Sequence, residues 1–175
     1  MNTTHTEVWL RGPVTGIPPL LMPVAHALLQ AKEDVARAAE GLSDEALWTR
    51  PGGAASAGFH LFHMAQSLDR LMSYARGETL TDSQRVALAL EKSGEIDAGA
   101  EDLIDLVATS IERALRQLRC TSEAGLIGER RIGRSLIPSN VLGVLFHAAE
   151  HTTRHAGQLI TTVKVVTGRH DAQEE

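Results

Sequence analysis

Apolar residues recur every three to four positions along four long stretches of the chain, and each stretch is bounded by residues that start or stop helices. The first runs from Pro19 or Pro23 to Gly41. Leu21, Val24, Leu28, Ala31, Val35 and Ala38 form its apolar stripe, and His26, Gln30, Glu33 and Arg37 a polar one beside it. Proline suits a first turn because the N–H it lacks would have no helical partner there. The second stretch, Ala54 to Arg76, stops at Gly77. It carries Leu61, Met64, Ala65, Leu68, Leu71, Met72 and Ala75 on one face, and Phe59, Phe62, His63 and Gln66 on the next. The third, Ala100 to Cys120, places Leu103, Leu106 or Val107, Ile111, Ala114, Leu115 and Leu118 at helical spacing. Its acidic first turn (Glu101, Asp102, Asp105) and basic last turn (Arg113, Arg116, Arg119) complement the helix dipole. The fourth, Val141 to Thr167, is expected to be capped by Ser139 after Pro138 and stopped by Gly168. Its opening VLGVLFHAA is apolar nearly all round, which predicts a central, buried helix.

The segments between are of several kinds. Val8 to Pro23 holds four of the six prolines and reads as an apolar lead-in (Trp9, Leu10, Val14, Ile17) lying across one end of the domain. Residues 42–53 form a linker with a short SDEA turn. Residues 77–99 form a long connection in which Thr81 to Gln84 is a capping-box pattern ahead of the helical VALALEK. Residues 121–138, with three glycines, read as a loop or short hairpin. There are no repeats and no alternating strands. The expectation is an all-α four-helix bundle, a single domain over residues 1–175 with 1–18 as lead-in and 169–175 as tail, whose long crossover joins helices 2 and 3.

Composition narrows the function classes. Hydrophobic residues make up 43% but aromatics only 3%, so the core is built from Leu, Ala, Val, Ile and Met, the palette of helix packing. The net charge, 17 − 22 = −5, offers nothing to a polyanion, so nucleic acid is not expected as a partner. The single cysteine, Cys120, fits a reducing cytosol. MNTTHTEVWLRG lacks the pattern of a signal peptide, and the longest apolar stretch, IPPLLMPVAHALL, is too short and too broken to span a bilayer. A cytoplasmic protein without a membrane partner is expected.

The chemistry lies in the histidines. His147, His151 and His155 follow one another at four-residue spacing in the fourth stretch. Four residues is one turn, so neighbouring pairs share a face and can hold one ion. His147 and His155, about 12 Å apart along the axis, cannot. The helix therefore offers 147/151 or 151/155, with a third ligand from elsewhere. His63 and His60 on the second helix and His26 on the first are candidates, with His63 preferred, while His5 and His170 fall in the tails. No Glu has a His three residues on, which sets aside a di-iron carboxylate bundle. His147-Ala-Ala-Glu150-His151 spells an inverted zinc-protease motif, but only 24 residues follow to supply the acidic ligand that class needs.

The stretch HAAEHTTRHAGQL, an H-x-x-x-H followed by a small pair and Gln158, resembles the DinB/YfiT-like metalloenzyme family. So does His63-Met-Ala-Gln-Ser on the second helix, which matches that family's His-Φ-Ala-Asp-Ser-like segment. The likeness runs from the first helix to Gly168. It implies an up-down-down-up bundle, in agreement with the long 77–99 connection. It also implies a homodimer and a divalent metal, zinc or nickel ahead of iron, held by His63, His151 and His155. His147 then lies outside the ligand set, and Gln66 stands where an Asp is common. Characterised relatives include thiol-dependent S-transferases and a thiol-dependent isomerase. The resemblance thus implies transfer or hydrolysis on a small-molecule substrate, with a low-molecular-weight thiol or water activated at the metal. Glu150 and Gln158 are candidate acceptors for the free imidazole N–H groups. Arg130, Arg131 and Arg134 could bind an anionic thiol or simply form a solvated loop. The rival expectation is a metal-containing bundle without catalysis, acting in binding or stress response.

Overall fold

The computed structural model describes residues 6–168; the expected tail at 169–175, with His170, and the first five residues, with His5, lie outside the described residues. Six α-helices are described: α1 (Met22–Ala39), α2 (Asp44–Trp48), α3 (Ala57–Arg76), α4 (Asp82–Ser93), α5 (Ala100–Arg119) and α6 (Val141–Thr167). A two-stranded antiparallel hairpin, β1 (Glu129–Ile132) and β2 (Ile137–Asn140), precedes α6.

Four of these helices make the bundle, and side-chain contacts give their directions. His60 meets His155 while His63 meets His151, so α3 and α6 run antiparallel. Arg113 faces Asp69, and Gln117 donates to the Met72 carbonyl, so α3 and α5 run parallel. Lys32 pairs with Glu112, and Arg119 reaches back to Thr15 ahead of α1, so α5 opposes α1. The order is up-down-down-up, with α1 beside α6 and α5, and α3 beside the same two. Leu21, Leu28, Leu47, Leu61, Met64, Leu68, Leu103, Ile111, Leu115, Leu118, Leu145 and Leu159 are the large, fully buried side chains among the described residues. Each contributes about 1.5–3 kcal/mol by leaving water.

The termini of the elements follow local chemistry. Ser43 and Ser56 cap α2 and α3 through their hydroxyls, and Gly77 closes α3 in the left-handed conformation. Thr81 and Gln84 form the expected capping box of α4, a full helix of the crossover. Two expectations are corrected. Asn140, not Ser139, caps α6: it is the last residue of β2, directly ahead of Val141, and its side chain accepts from the Gly143 N–H at 2.7 Å. The opening of α6 is not buried all round either: Val141, Val144, Leu145 and Ala148 face the core, but Phe146 is 62% exposed and Leu142 39%. One face of α6 packs between α1 and α3, and the opposite face, with Phe146, Gly157 and Thr161, is exposed. Trp9 and Leu10 of the lead-in are also exposed, while Val8 and Ile17 are buried.

Candidate metal centre

The Ser56 cap fixes where α3 begins, and with it where His60 and His63 point in the first two turns. Trp48 of α2 lies flat against Gly58, where an added Cβ would sit 2.6 Å from a ring carbon. The Phe59 ring is stacked on that of His63, with centroids 5.4 Å apart and planes 10° apart. From α6 come His151 and His155, one turn apart, on a stretch whose buried neighbours Ala148, Thr152, Ala156 and Leu159 hold the helix against the core.

These elements bring His63, His151 and His155 together so that one ring nitrogen from each lies within 4.8 Å of the others. His63 Nε2 and His151 Nε2 are 2.9 Å apart. His60, buried, holds the far side of His155, with the two Nδ1 atoms 3.1 Å apart. Burial and the nearby His63, His147 and Arg154 push the His151 pKa down to about 4. Burial, with His63, His151, His60 and Arg154, does the same to His155, again to about 4. His60 is lowered too, by burial and then by His63. At neutral pH His151 and His155 are therefore neutral, the state in which an imidazole offers a lone pair to a cation.

Behind His63 stands a residue that sequence reasoning missed. Glu91 of α4 places Oε1 3.2 Å from His63 Nδ1, in a contact too bent for a straight hydrogen bond. Arg70 donates from one terminal nitrogen to both Glu91 oxygens, at 3.0 and 3.1 Å. Burial pushes the Glu91 carboxyl up, but His63 and Arg70 outweigh it and hold it below the usual range. A signal did exist in the sequence. Gln84 and Glu91 are seven apart, as are His63 and Arg70, so each pair shares a helix face two turns long.

The other sequence candidates lie elsewhere. His147 is half-exposed and contacts Glu150 Oε2 at 3.3 Å. Glu150 accepts from Arg154 Nε at 2.9 Å and is engaged by His147, and it contacts none of the three clustered histidines. Gln158 is exposed, and Gln66 sits half-buried one turn beyond His63. His26 is hydrogen-bonded to the Gly12 carbonyl at 3.0 Å, where it pins the lead-in. Arg130 donates to the Ala75 carbonyl at 2.7 Å, Arg131 pairs with Glu129, and Arg134 is exposed in the hairpin turn. Ala75 is twelve residues from His63, about 18 Å along α3, so Arg130 is held at the opposite end of the bundle from the histidines.

No described helix is long and apolar enough to cross a membrane. No curated protein matches the chain. The family model of the DinB superfamily matches residues 27–159, a span that holds α3 and α5 whole, the greater part of α1 and α6, and every histidine of the cluster. By its sequence, its bundle and the place of its histidines, this chain belongs to the DinB superfamily.

Proposed function

We propose that His63, His151 and His155 hold one divalent metal ion, and that the protein uses it to activate a low-molecular-weight thiol or a water for transfer to, or hydrolysis of, a small electrophilic substrate. The observation that carries this reading is the convergence of three imidazole nitrogens within 4.8 Å from two antiparallel helices. The donor set fits such an ion. Two Nε2 atoms 2.9 Å apart can share at most one proton between them, and a third ring crowding the same point leaves lone pairs that one cation can satisfy together. With Nδ1 of His155 engaged by His60, Nε2 of His155 is the atom left to face the ion.

Three neutral imidazoles leave a tetrahedral ion one free position, the arrangement of a catalytic rather than a structural site. Bound there, the ion would lower the pKa of a thiol or water entering that position and so supply a nucleophile at neutral pH. Zinc and nickel suit a pure imidazole set, with iron after them. The chain's own contribution is orientation: His60 fixes one ring, the Phe59 ring covers another, and the buried face of α6 holds His151 and His155 one turn apart.

The test is metal analysis of untagged protein, wild type beside His63→Ala and His155→Ala. About one equivalent of metal in the wild type and a sharp loss in both variants are expected. Unchanged metal content in the two variants would overturn the ligand set. Thiol-conjugation and hydrolysis assays on the loaded protein then separate the chemistry. Metal-dependent turnover is expected, and its absence with every thiol and with water would leave a metal-binding protein without catalysis.

A further inference from the structure

We propose that Glu91, clamped by Arg70, is a positioning residue that selects the tautomer of His63 and so presents Nε2 to the metal. The inference rests on the reading of the three histidines as a metal site, and it adds two residues and one helix to that site. The side chains of Glu91 and Arg70 are largely withdrawn from solvent, 7% and 11% exposed. Burying an ion pair gains little, because the desolvation of both charges offsets their attraction, and apolar residues of similar size would serve stability as well. This pair has a third partner. One terminal nitrogen of Arg70 donates to both carboxylate oxygens, which leaves Oε1 turned to the Nδ1 edge of His63.

An imidazole carries one proton when neutral, and the nitrogen that keeps it is set by what each edge faces. A carboxylate at Nδ1 draws the proton there and leaves a lone pair on Nε2. Nε2 is the atom that lies 2.9 Å from Nε2 of His151, at the centre of the cluster. The same carboxylate makes the ring a stronger donor to a cation. Such an arrangement needs Glu91 delivered to a fixed place, and α4 is anchored to do it. Gln84, 5% exposed, donates to the Asp69 side chain at 2.6 Å and to Ser73 Oγ at 2.8 Å, two turns before Glu91.

The experiment compares wild type with Glu91→Gln and with the paired Arg70→Gln/Glu91→Gln. The pair removes both charges together, so that no unpartnered guanidinium unfolds the chain. Zinc affinity is read by competition with a chromophoric chelator, and the His63 tautomer by nitrogen-15 imidazole spectra of the metal-free protein. The expected result is a loss of zinc affinity of about 10–100-fold in both variants. It should come with a shift of the His63 signals from the Nδ1–H form toward a mixture, while those of His155 stay in place. A wild type that does not bind zinc, nickel or iron would sink the metal reading itself. A wild type that binds, with variants of equal affinity and an unchanged His63 tautomer, would overturn the positioning role alone.

Discussion

Acidification of the metal-free protein should unfold it in a window set by His151 and His155, the two clustered histidines of α6. Their folded pKa values lie at about 4, against an ordinary value of 6.5. Between those values the unfolded chain holds more protons than the folded one, so stability rises with pH across the window. It is present in full above about pH 6.5, is lost progressively as the pH falls toward about 4, and is flat in this term below that. A drop of this size corresponds to about 3 kcal/mol per ring. Both rings are still partly reached by solvent and belong to one mutually repelling cluster, so about 3–5 kcal/mol for the pair is the reasonable scale. That is a large part of the roughly 5–15 kcal/mol by which domains are stable. Carboxyls held low by basic partners, Glu33 by Arg11 and Glu112 by Lys32 among them, lose their contribution only below the ordinary carboxylate value of 4.5, after most of the histidine window. The assay is urea unfolding followed by circular dichroism, with chelator present, at steps from about pH 7.5 to 4.5. The His151→Gln/His155→Gln protein serves as the comparison and should show a shallower profile over this range. An unfolding free energy that is flat from about pH 7 to 4.5 in the wild type would refute the reasoning, as would the same slope in the double variant.

Gly58→Ala places a methyl group against the Trp48 ring at 2.6 Å, so Trp48 must move; a loss of about 1–3 kcal/mol is expected, read as a lower thermal midpoint together with a change in tryptophan fluorescence. Gln84→Ala removes a buried amide that also accepts the Thr81 N–H, and should cost about 1–3 kcal/mol. It should also weaken zinc binding, though less than Glu91→Gln does; undiminished stability would show that α4 is held by other means.

The bundle was legible because its pattern is local. A stripe such as Leu21, Val24, Leu28, Ala31, Val35 and Ala38 is buried whatever it packs on, and the first five are buried here, with Ala38 in the last turn half-buried. Gly77 and Gly168 stop their helices in the left-handed conformation that only glycine adopts at low cost. What the pattern could not carry was exposure set by partners. VLGVLFHAA reads as buried all round, yet Phe146 is out in solvent because α1 and α3, the helices on which α6 chiefly packs, cover one of its faces and leave the other open. The helix-spacing argument left 147/151 and 151/155 equal. The structure separates them by register, since His63 on antiparallel α3 meets His151 and His155 while His147, a turn nearer the start of α6, projects beyond the cluster. Glu91 escaped because a glutamate in a crossover normally reads as solvated. Only the fold reveals that its helix lies along α3.

That crossover is where topology and chemistry meet. In an up-down-down-up order α3 and α5 run parallel, so the chain leaving α3 must travel back the whole length of that helix, about 30 Å for its 20 residues. A connection of that length needs structure of its own to avoid leaving bare backbone groups against the bundle. The 12 residues of α4 provide it, covering about 18 Å, with the flanking loops making up the rest. Because the return path runs antiparallel to α3, residues late in α4 come to rest beside residues early in α3. Gln84 meets Asp69 and Ser73, and a further two turns on, Glu91 meets Arg70 and His63. The histidine-bearing end of α3 is thus the end to which a parallel crossover must return. A carboxylate near the close of α4 can reach the Nδ1 edge of His63 in this bundle, whereas a two- or three-residue hairpin between neighbouring helices could not have carried one there.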